Sequence, residues 1–104
     1  MPNDYKLTHA AKHDLKEIWR YTFERWGEQQ AEKYVLQFEK RFNDLVNTPY
    51  LGRSRPDIQK DYRSFSEGKH IIFYRVTGAI IEIIGIPHVS MDVKSHLLRQ
   101  QSDK

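Results

Sequence analysis

Cysteine is absent from the 104 residues. That excludes a disulfide framework and any thiolate metal site, and it fits a reducing compartment. Long apolar runs are missing as well: none approaches the roughly 20 residues of a membrane span, and the N-terminus lacks the apolar core of a secretory signal. The expectation is a soluble cytoplasmic domain. Proline and glycine are scarce, with 4 and 5 copies, and no repeat, low-complexity tract or linker divides the chain. One domain over residues 1–104 is therefore expected. Its ordered core should cover about residues 5–93, because Met1 to Asp4 and Arg99 to Lys104 look too polar to be well ordered. No P-loop, dinucleotide fingerprint, zinc-protease helix or strained nucleophile turn is present, and no cofactor is expected.

What is present is an ordinary share of apolar residues and an uneven distribution of charge. Residues 1–50 carry eight Lys/Arg against eight Asp/Glu, and residues 76–104 three against three. Residues 51–75 carry six (Arg53, Arg55, Lys60, Arg63, Lys69, Arg75) against three, so the net charge of +3 lies in one stretch. A locally basic surface attracts nucleic acid or an acidic protein by field alone. The alternative is a solvated loop with no specific partner.

The stretch from Tyr62 to Asp92 reads as three strands joined at Glu67-Gly68 and Thr77-Gly78, since glycine supplies the positive φ of short hairpin turns. His70, Ile72, Tyr74 and Val76 alternate with Ile71, Phe73 and Arg75 across the middle strand. Ala79 to Pro87 holds five isoleucines, which suit a half-buried pleated surface. Upstream, Tyr5 to Leu7 makes a short first strand. Thr8 is an N-cap candidate for a helix over Ala10–Trp26, ended by Gly27. A second helix is expected from Glu28 or Gln29 to Val46, where Ala31, Tyr34, Val35, Phe38, Phe42 and Leu45 share a face. So short a break makes the two helices antiparallel neighbours. Asn47 to Asp61 is a long connection in which Pro56 can open a helical turn. The fold expected is α+β: an N-terminal strand and an antiparallel helical hairpin on one face of a mainly antiparallel sheet of about four strands.

The histidines invite a metal reading, but His9 and His13, at i and i+4, lack a third ligand at fixed spacing, and no metal site is expected. His70 lies within a strand and His96 in a tail expected to fray. His88 follows an apolar strand and can meet Arg63, Tyr74 or Arg75 across the sheet. A histidine near arginines can do acid–base work on RNA while the arginines hold phosphate charge; equally, it can cap a strand end while the arginines pair with acidic side chains.

Six motifs follow one another in an order that resembles a known family. They are Ala11 to Ile18, Tyr21-Thr22 with Arg25-Trp26-Gly27, Asn47-Thr48-Pro49 with Leu51-Gly52, Tyr62 to Phe65, His70 to Tyr74, and His88-Val89-Ser90-Met91-Asp92. Together they cover about residues 5–93 and resemble the ParE branch of the RelE/ParE superfamily of type II toxins. The resemblance implies a toxin that inhibits DNA gyrase by binding, so blocking replication, neutralised by a ParD-like antitoxin in a hetero-oligomer. The RelE branch would imply instead a ribosome-dependent messenger endonuclease, for which Arg63, Arg75 and His88 are partial matches. An inactive remnant that only binds antitoxin is the third alternative. On the first reading Arg53, Arg55, Arg63, His88, Met91 and Asp92 are expected to meet the target. Trp19, Tyr21, Phe23 and Trp26 are expected to line the antitoxin groove, unless they are core.

Overall fold

The computed structural model describes residues 2–102, and the side chains of residues 2–97. The expectation of polar ends lies outside the described residues for Met1 and for residues 103 and 104. Strand β1 (Asp4–Leu7) leads into helix α1 (His9–Trp26). The Thr8 hydroxyl accepts from the Ala11 amide at 3.0 Å and donates to the Ile84 carbonyl at 2.9 Å, so the cap also pins the helix to the sheet. Gly27, at φ 90°, closes α1 with its N–H on the Phe23 carbonyl. It opens α2 (Glu28–Asn47) by accepting from Ala31. That backbone conformation is one that side chains with a Cβ rarely adopt, and it makes the hairpin tight.

The sheet runs in the order β1-β5-β4-β3-β2. Strands β3 (Arg63–Glu67), β4 (His70–Thr77) and β5 (Ile80–Gly85) form the expected meander. β1 lies parallel to β5 on one edge, pairing Tyr5 with Ile81. A fifth strand, β2 (Arg53–Ser54), pairs with β3 on the other edge. Only two residues of the long connection join the sheet, too few to leave an alternating pattern in the sequence. The rest, after Pro56, is two hydrogen-bonded turns, with Ile58 and Gln59 both donating to the Arg55 carbonyl and Tyr62 donating to the Gln59 carbonyl.

The hairpin covers one face of the sheet. Ala11, Ile18, Phe38, Phe42 and Leu45 pack there against Ile72, Tyr74, Ile81, Ile83 and Ile86. Tyr74 is fully buried; its hydroxyl donates to the Pro49 carbonyl and accepts from the Gly52 amide, both at 2.9 Å. A Cβ on Gly52 would stand 2.7 Å from that hydroxyl and 2.6 Å from the Ser64 carbonyl, so only glycine fits.

The opposite face is covered too. Tyr62, Phe73 and Ile84 form a second cluster under Leu97, with Ile58, Ile71 and Val93 at its margin. Leu97 belongs to helix α3 (Val93–Ser102), which replaces the fraying tail expected from sequence. Asp92 caps it, accepting from the Ser95 hydroxyl at 2.9 Å and the Ser95 amide at 3.3 Å. Among the described residues no helix is long and apolar enough to cross a membrane.

Candidate binding groove

Where β5 ends, the chain does not leave the sheet at once. Ile71 donates to Pro87 at 2.9 Å and Val89 to Lys69 at 2.8 Å, forming a bridge that sets His88 opposite His70. This brings His88 to the start of β4, away from Tyr74 and Arg75. Between that bridge and the helical hairpin opens a groove of about 1020 Å³. Its lining includes Asp14, Glu17, Ile18, Tyr21, Thr22 and Trp26 from α1, and Gln30 and Tyr34 from α2. Lys69, His70, Ile86, His88, Ser90 and Met91 complete it from the sheet side.

The polar groups of the groove are joined in two short chains. Tyr34 Oη lies 3.0 Å from His70 Nδ1, and the two rings of His70 and His88 meet edge to face with centroids 5.2 Å apart. Burial, then His88, push the His70 imidazole down to about 4, opposed by Asp14. Burial raises the Tyr34 phenol, and the Lys69 backbone draws it partly back. Gly68, at φ 58°, leaves room for this phenol: a Cβ there would stand 2.9 Å from Tyr34 Oη. In the second chain, buried Asp14 accepts from the Ile86 amide at 2.8 Å and contacts His96 Nε2 at 3.2 Å. One carboxylate thus ties α1, the end of β5 and α3 together. Asp14, Tyr34, His70 and His96 were not singled out as site residues from sequence. The only available signal was the Asp92-x-x-Ser95 cap with Val93 and Leu97 four apart, which places His96 on a helix.

The four aromatics expected in one groove are divided between two faces. Tyr21 and Trp26, 54% and 64% exposed, stand at the groove. Trp19 and Phe23 stack with centroids 5.0 Å apart, and Trp19 lines a separate apolar hollow with Leu7, Leu15 and Val35. Met91, 48% exposed, is on the groove rim, whereas the Asp92 carboxylate is occupied in capping α3.

The arginines occupy the other end of the sheet. Arg63 donates Nε and Nη2 to the Gly52 carbonyl at 3.0 and 2.6 Å, and its guanidinium lies over the Tyr50 ring. Arg55 grips Asp57 through Nε and Nη2, each at 3.0 Å, and holds its carboxyl below the usual range. Arg75 pairs with Glu82 at 2.6 Å. Arg53, in β2, is exposed. Arg63 pairs with Tyr74 in the sheet, whereas His88 pairs with His70. Four to five residues of strand, roughly 13–17 Å, therefore separate Arg63 and Arg75 from His88. The three side chains do not converge on a common point.

A family model described as the ParE toxin of the type II toxin–antitoxin system parDE matches residues 5–93. The chain belongs to the ParE toxin family. Toxin ParE1 of Mycobacterium tuberculosis is 39% identical over 98 residues, covering 93% of this chain and 100% of that protein. Toxin ParE1 of Caulobacter vibrioides is 37% identical over 93 residues, 89% of this chain and 96% of that one. A solved chain from a structure titled "Chromosomal ParDE TA system from P. aeruginosa" superposes with a TM-score of 0.71 at 23% identity, over 85% of this chain and 96% of that one. It shows the same fold. Membership in the ParE family makes the chain the toxin of a type II toxin–antitoxin system and implies an antitoxin as its partner.

Proposed function

We propose that this ParE toxin works by binding: in the cytoplasm it inhibits DNA gyrase and so blocks replication, and a ParD-like antitoxin neutralises it by filling the groove. The observation that carries the antitoxin half is the groove itself, with exposed Tyr21, Trp26 and Met91 on its rim and polar groups at its floor. An amphipathic helix laid against such a surface buries its apolar side chains there. Three aromatic or thioether anchors are the residue types that dominate protein interfaces. The gyrase half is supported by family membership and by the separation of Arg63, Arg75 and His88. General acid–base cleavage of RNA needs its groups within hydrogen-bond reach of one scissile phosphate. An inhibitor that holds one state of a conformational cycle needs only a complementary surface. The exposed Arg53 and the basic loop around it are the surface offered to the target.

The test is a purified gyrase supercoiling and cleavage assay run beside a cell-free translation reaction. Accumulation of cleaved plasmid with translation intact is expected. Messenger cleavage with gyrase untouched would replace this reading by the nuclease one, and inactivity in both would leave a chain that only binds antitoxin.

A further inference from the structure

Two different neighbours hold the histidines at the groove floor in the same state. The Tyr34 phenol, kept protonated by burial, lies 3.0 Å from His70 Nδ1, and its O–H is assigned as the donor to that lone pair. The Ser90 amide, which can only donate, points at His88 Nδ1 from 3.1 Å, and the Ser90 hydroxyl lies 2.7 Å from the same atom. Each Nδ1 is therefore an acceptor, and each neutral ring carries its proton on Nε2. Among the described residues neither Nε2 has a hydrogen-bond partner in the chain, although both residues line the groove and stay partly exposed. The rings meet at 86°, and the bridge between His70 and His88 fixes the backbone under both. Two positioned N–H donors beside Lys69 call for an acceptor with two oxygens.

We infer that the His70–His88 pair is a carboxylate-reading subsite of the groove, taking one Asp or Glu side chain of the antitoxin while Tyr21, Trp26 and Met91 receive its apolar neighbours. This rests on the reading of the groove as the antitoxin site. A nucleic-acid backbone suits the place less well. A row of phosphates calls for a row of cations, and among the described lining residues Lys69 is the one lysine or arginine.

The groups facing the pair are Asp14 and Glu17 from α1, Tyr34 from α2, Glu67 at the end of β3, Lys69 from the β3–β4 turn, and His96 from α3 through its contact with Asp14. The Asp14 carboxylate is already engaged by the Ile86 amide and His96. An arriving carboxylate is thus a new negative charge at the rings, and it favours imidazolium, whose Nδ1–H the Tyr34 and Ser90 hydroxyls can turn to accept. Binding then takes up a proton and tightens as pH falls.

The experiment is calorimetric titration of the full chain with its cognate antitoxin at about pH 8, 7 and 6, in two buffers of different ionisation enthalpy. Net proton uptake and an affinity at least about fivefold higher at the lowest pH are expected. His88→Leu should weaken binding by about tenfold and abolish the uptake, as should His70→Leu where circular dichroism shows it folded. Tyr21→Ala and Trp26→Ala test the groove separately. If those two weaken binding while both histidine variants keep wild-type affinity, the inference is overturned and the groove reading stands. Wild-type affinity in all four variants overturns both. Binding of a duplex oligonucleotide by the free chain, lost in His88→Leu, would assign the pair to phosphate and equally overturn it.

Discussion

His70 shows how one side chain can be set by several elements at once. It comes from β4, its Nδ1 meets Tyr34 of α2, and its ring edge meets Phe38 of α2 and His88 beyond β5. Burial, then His88, hold the imidazole down to about 4, well below its ordinary 6.5. Between these two values the unfolded chain binds a proton that the folded chain refuses. Stability is thus undiminished by this group above about pH 6.5 and falls as the pH drops toward about 4. The shift corresponds to roughly 3 kcal/mol at most, and partial exposure of the ring screens this to about 1–2 kcal/mol. In His70→Asn, whose amide oxygen replaces Nδ1 as an acceptor for Tyr34 but cannot titrate, urea midpoints should fall less than in the wild type between about pH 7 and pH 4.5. Parallel loss in the two proteins would mean that His70 charges in the folded state as readily as in the unfolded one. Nothing in the local sequence announces this role, because Tyr34 and His88 reach His70 only through the tertiary fold.

The elements differ in how far the sequence betrays them, and the difference has a physical cause. α1 and α2 are long and strongly periodic, their boundary is a glycine at positive φ, and they lie within one residue of their expected ends. β3 to β5 carry alternating apolar residues between glycine turns and are equally readable. β2 is short and polar, and its pairing is a consequence of Arg63 and Tyr74 gathering the Pro49–Gly52 backbone. α3 escaped for another reason. Its polar composition suits solvent on most sides, and Val93 and Leu97 are its only described apolar anchors. Leu97 nevertheless is only 2% exposed and closes the second core over Tyr62, Phe73 and Ile84. Leu97→Ala should therefore lower the unfolding free energy by about 2–4 kcal/mol, with α3 melting before the sheet in hydrogen exchange. A loss under about 0.5 kcal/mol, the scale of an exposed site, would mean that α3 is not docked in solution. The candidate site was legible only in part for the same reasons. Tyr21 and Trp26 stand at the groove together with His88 and Met91, which are expected from sequence on the target surface instead, whereas Asp14, Tyr34 and His70 are brought there by packing that no local pattern encodes.

At the scale of the molecule, the two proposed binding surfaces lie at different ends of one sheet. The groove sits at the His70 end of β4, and the basic loop sits beside β2, where Arg63 pairs with Tyr74. Three of the cations at this end of the sheet are committed within the chain: Arg55 of the loop to Asp57, Arg63 of β3 to the Gly52 carbonyl, Arg75 of β4 to Glu82. Substituting them would disturb the fold as well as the field. Arg53 and Lys60 are exposed and can be reversed with little structural cost. Their charge acts through solvent, so its effect on association should fade with salt over a Debye length of about 8–10 Å. The double variant Arg53→Glu, Lys60→Glu is thus predicted to need at least about tenfold more protein to inhibit supercoiling at low ionic strength. Its antitoxin affinity should stay within about twofold of wild type, because the groove lies more than a Debye length away. Trp26→Ala is predicted to behave in the opposite way, inhibiting gyrase normally while escaping the antitoxin. Measuring both activities on both variants decides the matter. If each variant loses both activities in proportion, antitoxin and target share one surface, and neutralisation is direct competition for it. If the losses separate, the antitoxin silences the toxin from the groove, either by covering the basic loop with a segment that extends beyond it or by carrying the toxin into an assembly too bulky for gyrase to admit.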